Sequence, residues 1–446
     1  MNRVAWHDAG RYGLEDALFC QSTFRSLMAG LASNTPLFQK MDKWVGGAAC
    51  LFCTGLDFLS GLLPESGHPR RKGLVFVKLA EQGSTVLAGA AIRDAVQRYG
   101  RENVYFVVFD ENRFILDAHD LIPRENVLTV DTGSLSKIVL SSIRRLLEVR
   151  RLRLEALIDL EFFSRATAAF CFLTGIPKRV GFHAYFSEGP WRGNLFTHRP
   201  RYNPHIHTSS TFRSLVAALD MPAEAFPQFQ WVPPDPHAYE PPRFVPTAAE
   251  IASMTGLIAS HCGGTPRSLV LLNANASDLL PLRRWADANY IELARRILKS
   301  SPETCIAFTG GPDEALKTAE IARAVGSDRV FSSAGKTTLR ELIALYELSD
   351  VLVTNDSGPA HFATLTGVNT VVLFGPETPK LFGVLLERCK PIFAGLACSP
   401  CVSATNNRQT SCQDNVCMKS ISVDSVLAAV EEALTSRGKQ PGKALA

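Results

Sequence analysis

A chain of 446 residues that is 46% hydrophobic and 20% charged, with a formal net charge of +4, can bury more than one core. That balance excludes a disordered chain and a polytopic membrane protein, and so small a charge gives no reason to expect nucleic acid as a partner. Eleven cysteines are too sparse for a small disulfide scaffold. No charged n-region followed by an apolar h-region and a cleavage site opens the chain, so a reducing cytoplasm is the expected compartment.

Residues 1–72 read as a helical extension ending in the turn-rich, basic stretch Pro64 to Lys72. Within it, Trp44 to Leu63 has about the length of a bilayer span, but Asp57 and four glycines weaken that reading. A packed helical hairpin fits better than an interfacial segment. From Gly73 the pattern changes. Gly73-Leu-Val-Phe-Val-Lys-Leu79 is a short apolar run, followed by a polar loop and a helical pattern. Strand-like runs follow at Val104 to Phe109, Val127 to Val130 and Ala156 to Leu160, with helical segments at Leu135 to Val149 and Phe162 to Leu173. Strands alternating with helices of this length predict a parallel, doubly wound sheet.

Between Met221 and Pro246 prolines break the pattern, which marks a linker. A second series of strands is predicted at Ser268 to Leu272, Cys305 to Thr309, Val330 to Phe331, Asp350 to Thr354 and Thr370 to Phe374. The expected organisation is a helical extension (1–72), a first α/β domain including the linker (73–245) and a second α/β domain (246–446). Ligands of two such domains bind in the cleft, at the carboxyl ends of the strands.

The sharpest local signal is Asp350-Val-Leu-Val-Thr-Asn-Asp-Ser-Gly-Pro-Ala-His361. A strand ends at Thr354, Ser357 is a good N-cap, Pro359 suits a first helical turn, and Ala360 to Thr366 continues as helix. Such a loop offers a helix N-terminus to an anion and would suit a diphosphate. Asp356 and His361 flank it. The same residues also serve as ordinary turn and cap residues in many α/β proteins.

The run from Thr338-Leu-Arg-Glu-Leu through Asn355-Asp-Ser-Gly-Pro-Ala-His361 to Gly367-Val and Val372-Leu-Phe-Gly-Pro376 resembles the signature of glycosyltransferase family 9, the ADP-heptose:lipopolysaccharide heptosyltransferases. Val75-Phe-Val-Lys78 before Gly83, Leu157-Ile-Asp-Leu160, Lys178-Arg-Val-Gly-Phe182, Arg283-Arg-Trp285 and Gly310-Gly-Pro-Asp-Glu314 fall in the order of that family's landmarks. The resemblance covers roughly residues 73–435. It implies a GT-B-type fold, two doubly wound parallel-sheet domains facing a cleft, with the first domain on the acceptor side and the second binding nucleotide sugar. It also implies a bacterial enzyme of lipopolysaccharide biosynthesis that transfers a heptose-like sugar from an ADP-heptose-like donor to a lipopolysaccharide-core or related glycan. Transfer would be an inverting displacement without a required metal, in the cytoplasm or peripherally on the cytoplasmic face of the inner membrane.

Carried over by residue, the resemblance assigns Asp356, Ser357, Gly358 and His361 to the donor. Arg283 stands in for the family's phosphate-binding lysine, and Glu314 lies by the ribose or base. The first loop departs from the family. Where heptosyltransferases carry Gly-Asp, with the aspartate as base, this chain has Gly83-Ser84, and a serine alone cannot take the acceptor proton near neutral pH. Glu81 is the candidate substitute, and Lys78 would meet an acidic acceptor group or the leaving phosphate.

Two other features stand apart. Arg144-Arg145 through Arg150-Arg151 and Arg153 form a basic segment that suits a phosphorylated glycolipid at an anionic membrane, or a solvated helix face. Cys398, Cys401, Cys412 and Cys417 are spaced for a structural zinc, for free buried thiols or for a labile disulfide. A nucleotide-sugar epimerase and a nucleotide-sugar-binding protein without catalysis are the alternative functions. A dehydrogenase is disfavoured because no Gly-x-Gly-x-x-Gly follows the first strand.

Overall fold

The apolar run from Gly73 to Val77 ends β1 (Arg71–Val77) and is buried throughout, as a central strand covered on both faces must be. The computed structural model describes residues 42–60, 69–186, 189–235, 237, 239–276, 280–406 and 408–437. β2 (Val104–Phe109), β3 (Val127–Val130), β4 (Leu154–Asp159) and β5 (Lys178–Val180) complete an all-parallel sheet in the order β3-β2-β1-β4-β5.

The helices of this half are α1 (Gly47–Ser60), α2 (Gln82–Leu87), α3 (Gly89–Tyr99), α4 (Arg113–His119), α5 (Leu135–Leu152), α6 (Arg165–Leu173) and α7 (Thr208–Ala217). α3 and α7 cover one face through Ile92, Ala95, Phe212 and Leu215. The other face is covered by α5, α6 and α1 through Val149, Ala168, Cys171, Cys50 and Cys53. Burial of these aliphatic and aromatic groups on both faces is the main favourable term holding the layers together.

The second half repeats the plan. β6 (Ser268–Asn273), β7 (Thr304–Phe308), β8 (Val330–Ser332), β9 (Val351–Asn355), β10 (Asn369–Phe374) and β11 (Cys389–Phe393) form a parallel sheet in the order β11-β10-β9-β6-β7-β8. Its helices are α8 (Ala248–Cys262), α9 (Asp287–Ser300), α10 (Ala315–Val325), α11 (Leu339–Leu348), α12 (Gly358–Phe362), α13 (Pro379–Phe382), α14 (Val416–Lys419) and α15 (Val423–Arg437). α9, α10 and α15 pack on one face, α8 and α11 on the other. Val86 of α2 and Ile115 of α4 join the core of the second half, so the two domains share apolar contact.

Strand order reverses between β1 and β4 in the first sheet and between β6 and β9 in the second. Crevices open at such points. Lys78 follows β1, Glu161 follows β4 by two residues, Asn275 follows β6 and Asp356 follows β9, so both switch points supply residues to the cleft.

Several local expectations are corrected. Trp44 to Leu63 is not a hairpin within its described part: a π-turn (Asp42–Gly46) leads into the single helix α1, and Leu63 lies outside the described residues, as does most of the expected 1–72 extension. No helix among the described residues is long and apolar enough to cross a membrane. α6 starts at Arg165 and not at Phe162, because Ser164 caps it by accepting the Thr167 N–H. β11 escapes sequence reading because Pro391 sits within it, which an edge strand tolerates. Among the described residues of 221–246 the regular structure is limited to short 3₁₀ turns, as the prolines require.

Candidate active site

Lys78 emerges buried at the end of β1. Its Nζ donates to Ala80 O (2.8 Å) and Glu161 Oε2 (3.2 Å), while Glu161 Oε1 accepts the Leu79 and Ala80 N–H groups (2.9 and 3.0 Å). Glu161 therefore clamps the β1–α2 loop from the neighbouring strand. The loop ends at Glu81, whose φ of 70° is unfavourable for a side chain larger than glycine. Ser84 Oγ donates to Glu81 Oε2 (3.0 Å) and to Glu81 O (3.0 Å). The Glu81 carboxylate thus lies beside Ser84, the position at which the resemblance leads one to expect an aspartate.

The second domain supplies the facing groups. Asn355 Oδ1 accepts from Trp285 N (3.1 Å) and Tyr290 Oη (3.2 Å), and its Nδ2 donates to Asn275 O (3.0 Å), which fixes the end of β9. Asp356 follows, its N–H donating to Leu373 O (2.9 Å). Arg283 Nε lies 3.6 Å from Asp356 Oδ2, and its guanidinium pairs with Glu377. Arg408 then closes the cleft, with NH1 2.5 Å from Glu81 Oε1 and Nε 3.7 Å from Glu377 Oε1. Charges alternate from Glu161 through Lys78, Glu81, Arg408, Glu377 and Arg283 to Asp356, crossing from one domain to the other.

Arg408 has a φ of 54°. Four non-glycine residues described here have positive φ. Asp120 and Arg153 are helix C-caps, where that conformation is routine. Glu81 and Arg408 have no such excuse and meet each other across the cleft, and strain of this kind clusters at functional sites.

The electrostatics follow from this arrangement. Burial would raise the Glu81 carboxyl, but Arg408, Lys78, the Ser84 hydroxyl and Arg283 bring it down to about 2. Glu377 moves the other way. It is more deeply buried, and burial together with the adjacent Asp356 outweighs its two arginines, so its carboxyl is raised. Arg408 is held more firmly charged because the attraction of Glu81, Glu377 and Asp356 overcomes its burial. Burial, helped by Arg283 and Arg408, lowers His361 to about 4, so it is neutral at neutral pH. Arg283 Nε, Asp356 Oδ2, His361 Nδ1 and Glu377 Oε1 are buried without hydrogen-bond partners, and orphaned polar atoms gathered at one point mark a site rather than a core.

Other expected residues lie as follows. Ser357 stands at the N-cap of α12 but makes no capping bond; its Oγ donates to Asn355 O (3.1 Å). Gly358 is the first residue of α12, which spans only Gly358–Phe362 before a 3₁₀ turn, Ala363–Leu365, not the longer helix expected. So short a helix carries little of a macrodipole, and the positive charge of the cleft comes instead from Arg283, Arg408 and Lys78. Glu314 starts a helix after β7, where its Oε2 accepts the Gly311 N–H (2.7 Å).

The thiols of Cys398, Cys401, Cys412 and Cys417 are free, and among the described residues no three His, Cys, Asp or Glu side chains gather to hold a metal. The donor set therefore does not fit the zinc expectation. That segment serves the cleft differently, since it carries Arg408. Sequence reasoning missed Arg408, Glu377 and Glu161. Glu377 follows directly on Phe374-Gly-Pro376 and could have been found there, whereas nothing in the cysteine-rich segment singled out Arg408.

The model of glycosyltransferase family 9 (heptosyltransferase) matches residues 145–411, more than half of the chain. The chain belongs to glycosyltransferase family 9. Among curated relatives of this family 9 chain, lipooligosaccharide heptosyltransferase 2 of Campylobacter jejuni is 28% identical over 156 residues, 34% of this chain and 48% of that protein. Lipopolysaccharide heptosyltransferase 2 of Salmonella typhimurium is 29% identical over 115 residues, covering 25% and 32%. The matches thus span about half or less of the length of these relatives. Among solved structures, E. coli ADP-heptose lipopolysaccharide heptosyltransferase II superposes with a TM-score of 0.60 at 16% identity, covering 82% of this chain and 99% of that one. The family 9 glycosyltransferase of Veillonella parvula gives 0.61 at 17%, covering 82% and 98%. At such identities the likeness speaks for the fold, a GT-B-type pair of parallel-sheet domains.

Proposed function

We propose that this family 9 chain transfers a heptose-like sugar from a nucleoside diphosphate donor to a hydroxyl of a lipopolysaccharide-core or related glycan, with inversion, on the cytoplasmic face of the inner membrane. Residues 246–446 form the donor domain and 73–245 the acceptor domain. One observation carries the reading. A carboxylate on the first domain, Glu81, is joined at 2.5 Å to a guanidinium on the second, Arg408, which also feels the Asp356 carboxylate. An ADP-heptose-like donor agrees with the E. coli heptosyltransferase WaaC, solved with ADP and with an ADP-heptose analogue.

In this reading the donor diphosphate lies against Arg283, Arg408, His361 and the backbone of Ser357 and Gly358. The arginines offset the charge that grows on the leaving diphosphate. Asp356 orients Arg283 and the sugar, and Glu314 lies at the nucleotide side. Glu81 takes the acceptor proton. The acceptor oxygen attacks the anomeric carbon as the bond to the diphosphate oxygen breaks, and the electron pair leaves with the diphosphate. As an ion pair at about 2, Glu81 is a weak base. A diphosphate that engages Arg408 removes the main opposing charge and lets the carboxyl rise, so donor binding arms the base. Lys78 stays with Glu161 and fixes the loop.

A thermal-shift panel of ADP, UDP, GDP and CDP with their sugars tests the donor site, because a ligand of the native state raises apparent stability. Stabilisation by one nucleoside diphosphate and its sugar is expected. No response to any of them overturns the reading. The serine at position 84 favours one alternative, a nucleotide-sugar-binding protein without catalysis. Donor binding with no transfer to any glycan would establish it.

A further inference from the structure

The face of the first sheet covered by α5, α6 and α1 turns an apolar surface outward. On α5, Leu135, Val139, Leu140, Ile143 and Leu147 are each 46–67% exposed. Their spacing places them on one side of the helix. On α1, Leu51, Phe52, Leu56, Phe58 and Leu59 are 38–74% exposed, while Cys50 and Cys53 on the other side are buried. The layer is continuous. α1 packs along α6, and Arg150 NH1 at the end of α5 donates to Leu173 O at the end of α6 (2.6 Å), Leu173 itself being exposed. Contiguous exposed apolar surface of this kind marks an interaction site.

The charges on this face choose the occupant. Arg144, Arg150 and Arg151 are exposed on α5, and Arg144 and Arg151 have no ion-pair partner among the described residues. The carboxylates nearby are engaged: Asp57 with Arg179 (3.8 Å), Glu148 with Arg145 (2.5 Å), and Asp42 as the cap of α6, where Oδ1 accepts the Arg165 and Ala166 N–H groups (both 2.9 Å). A second copy docked on this face would set arginine against arginine, whereas an anionic lipid surface meets both its charge and its apolar groups. Trp44, 73% exposed, and Trp191 lie at the start of α6, and indoles favour a water–lipid boundary. That is also the cleft end of the sheet, because Glu161, which holds Lys78, lies three residues before Ser164.

We infer that the outward face of α1, α6 and α5 is a membrane-docking surface that seats on an anionic bilayer and sets the rim of the cleft against it. The purpose rests on the transferase reading above; the binding does not.

Co-sedimentation of the full chain with phosphatidylcholine vesicles, with and without phosphatidylglycerol and with neither donor nor acceptor present, tests it. Binding to the anionic vesicles only, weakening as salt rises, is expected. Arg144→Gln/Arg151→Gln should weaken it roughly ten- to thirtyfold. Leu140→Glu/Ile143→Glu and Phe52→Glu/Phe58→Glu should each abolish it, with melting temperature and donor binding unchanged because these side chains are exposed. Failure of the wild type to bind, equal binding by all variants, or a dimer in solution that these substitutions dissociate would overturn the proposal. Vesicle binding without any donor binding would overturn the transferase reading alone.

Discussion

The ring of His361 from the second domain lies directly on Gly83 of the first: a Cβ at position 83 would stand 2.5 Å from His361 Cδ2. Only glycine permits this approach, and it brings the first turn of α2 against α12 at the cleft. Gly83→Ala should therefore push the domains apart, lowering stability by about 1–3 kcal/mol. The further substitution His361→Ala should recover part of that loss. A double-mutant cycle by denaturant unfolding checks the coupling, and additive effects would show that the contact carries none.

Donor affinity should weaken in both Asp356→Ala and His361→Ala while the fold is retained. Calorimetry with the nucleotide sugar found by thermal shift measures it, and unchanged affinity in both would move the donor site elsewhere.

Glu81→Gln keeps the shape of the side chain and should bind donor normally, yet single-turnover transfer should fall by on the order of 10²–10⁴. Ser84→Ala removes only the hydroxyl that donates to Glu81 and should cost much less. Ser84→Asp supplies the aspartate that the resemblance leads one to expect there, and a rate no lower than that of the wild type would show that the loop accepts either carboxylate. Near-normal transfer by Glu81→Gln would exclude it as the base.

The pH profile reads the same pair. A base must be deprotonated, so a carboxyl at about 2 leaves the acid limb of kcat/KM below the usual carboxylate range. The acid limb of kcat reports the donor complex and should lie higher, because the diphosphate then shares Arg408. Arg408→Met should raise the kcat/KM limb toward the kcat limb and weaken donor binding by roughly ten- to a hundredfold. Coincident limbs in the wild type would contradict the arming of Glu81 by donor.

Three buried histidines should make stability fall as pH drops from about 6.5 to about 4, against the opposite contribution of the buried Asp159, whose carboxyl is raised to about 6. His119, His207 and His361 are buried, and burial lowers each to about 4. The unfolded chain therefore takes up protons across that interval that the folded chain refuses, which favours unfolding by up to about 1.4 kcal/mol per pH unit for each histidine. His119, whose two nitrogens have no hydrogen-bond partner, offers the cleanest test. His119→Leu should flatten the slope, as urea midpoints across the interval will report.

A chain shortened to begin at Gly73 should lose stability, since residues 42–60 pack on the first domain. It would uncover the core around Cys50, Cys53, Leu195 and Phe196 and delete Asp42, which accepts from Arg165 N, Ala166 N and Ser164 Oγ. The cap alone contributes on the order of 1 kcal/mol. Equal melting of the Gly73 form would show that α1 adds nothing to the fold.

The sequence by itself determined the parallel sheets, because continuous apolar runs such as Gly73 to Val77 and Asp350 to Thr354 can be satisfied only by burial on both faces. It also determined the family, through the Asn355 to His361 loop, and it raised the expectation of a gap at Ser84, where the resemblance places the family's base. Only the tertiary structure decided what stands around that gap. Arg408 reaches Glu81 from a position 327 residues away, since two chain reversals at different switch points meet in the cleft, and no local period encodes such a pairing. The same holds for the sign of each shift. Glu81 is lowered and Glu377 raised within one network because, although both face cations, Glu377 is more deeply buried and lies beside the Asp356 carboxylate, and burial is a property of the packed chain, not of the residue.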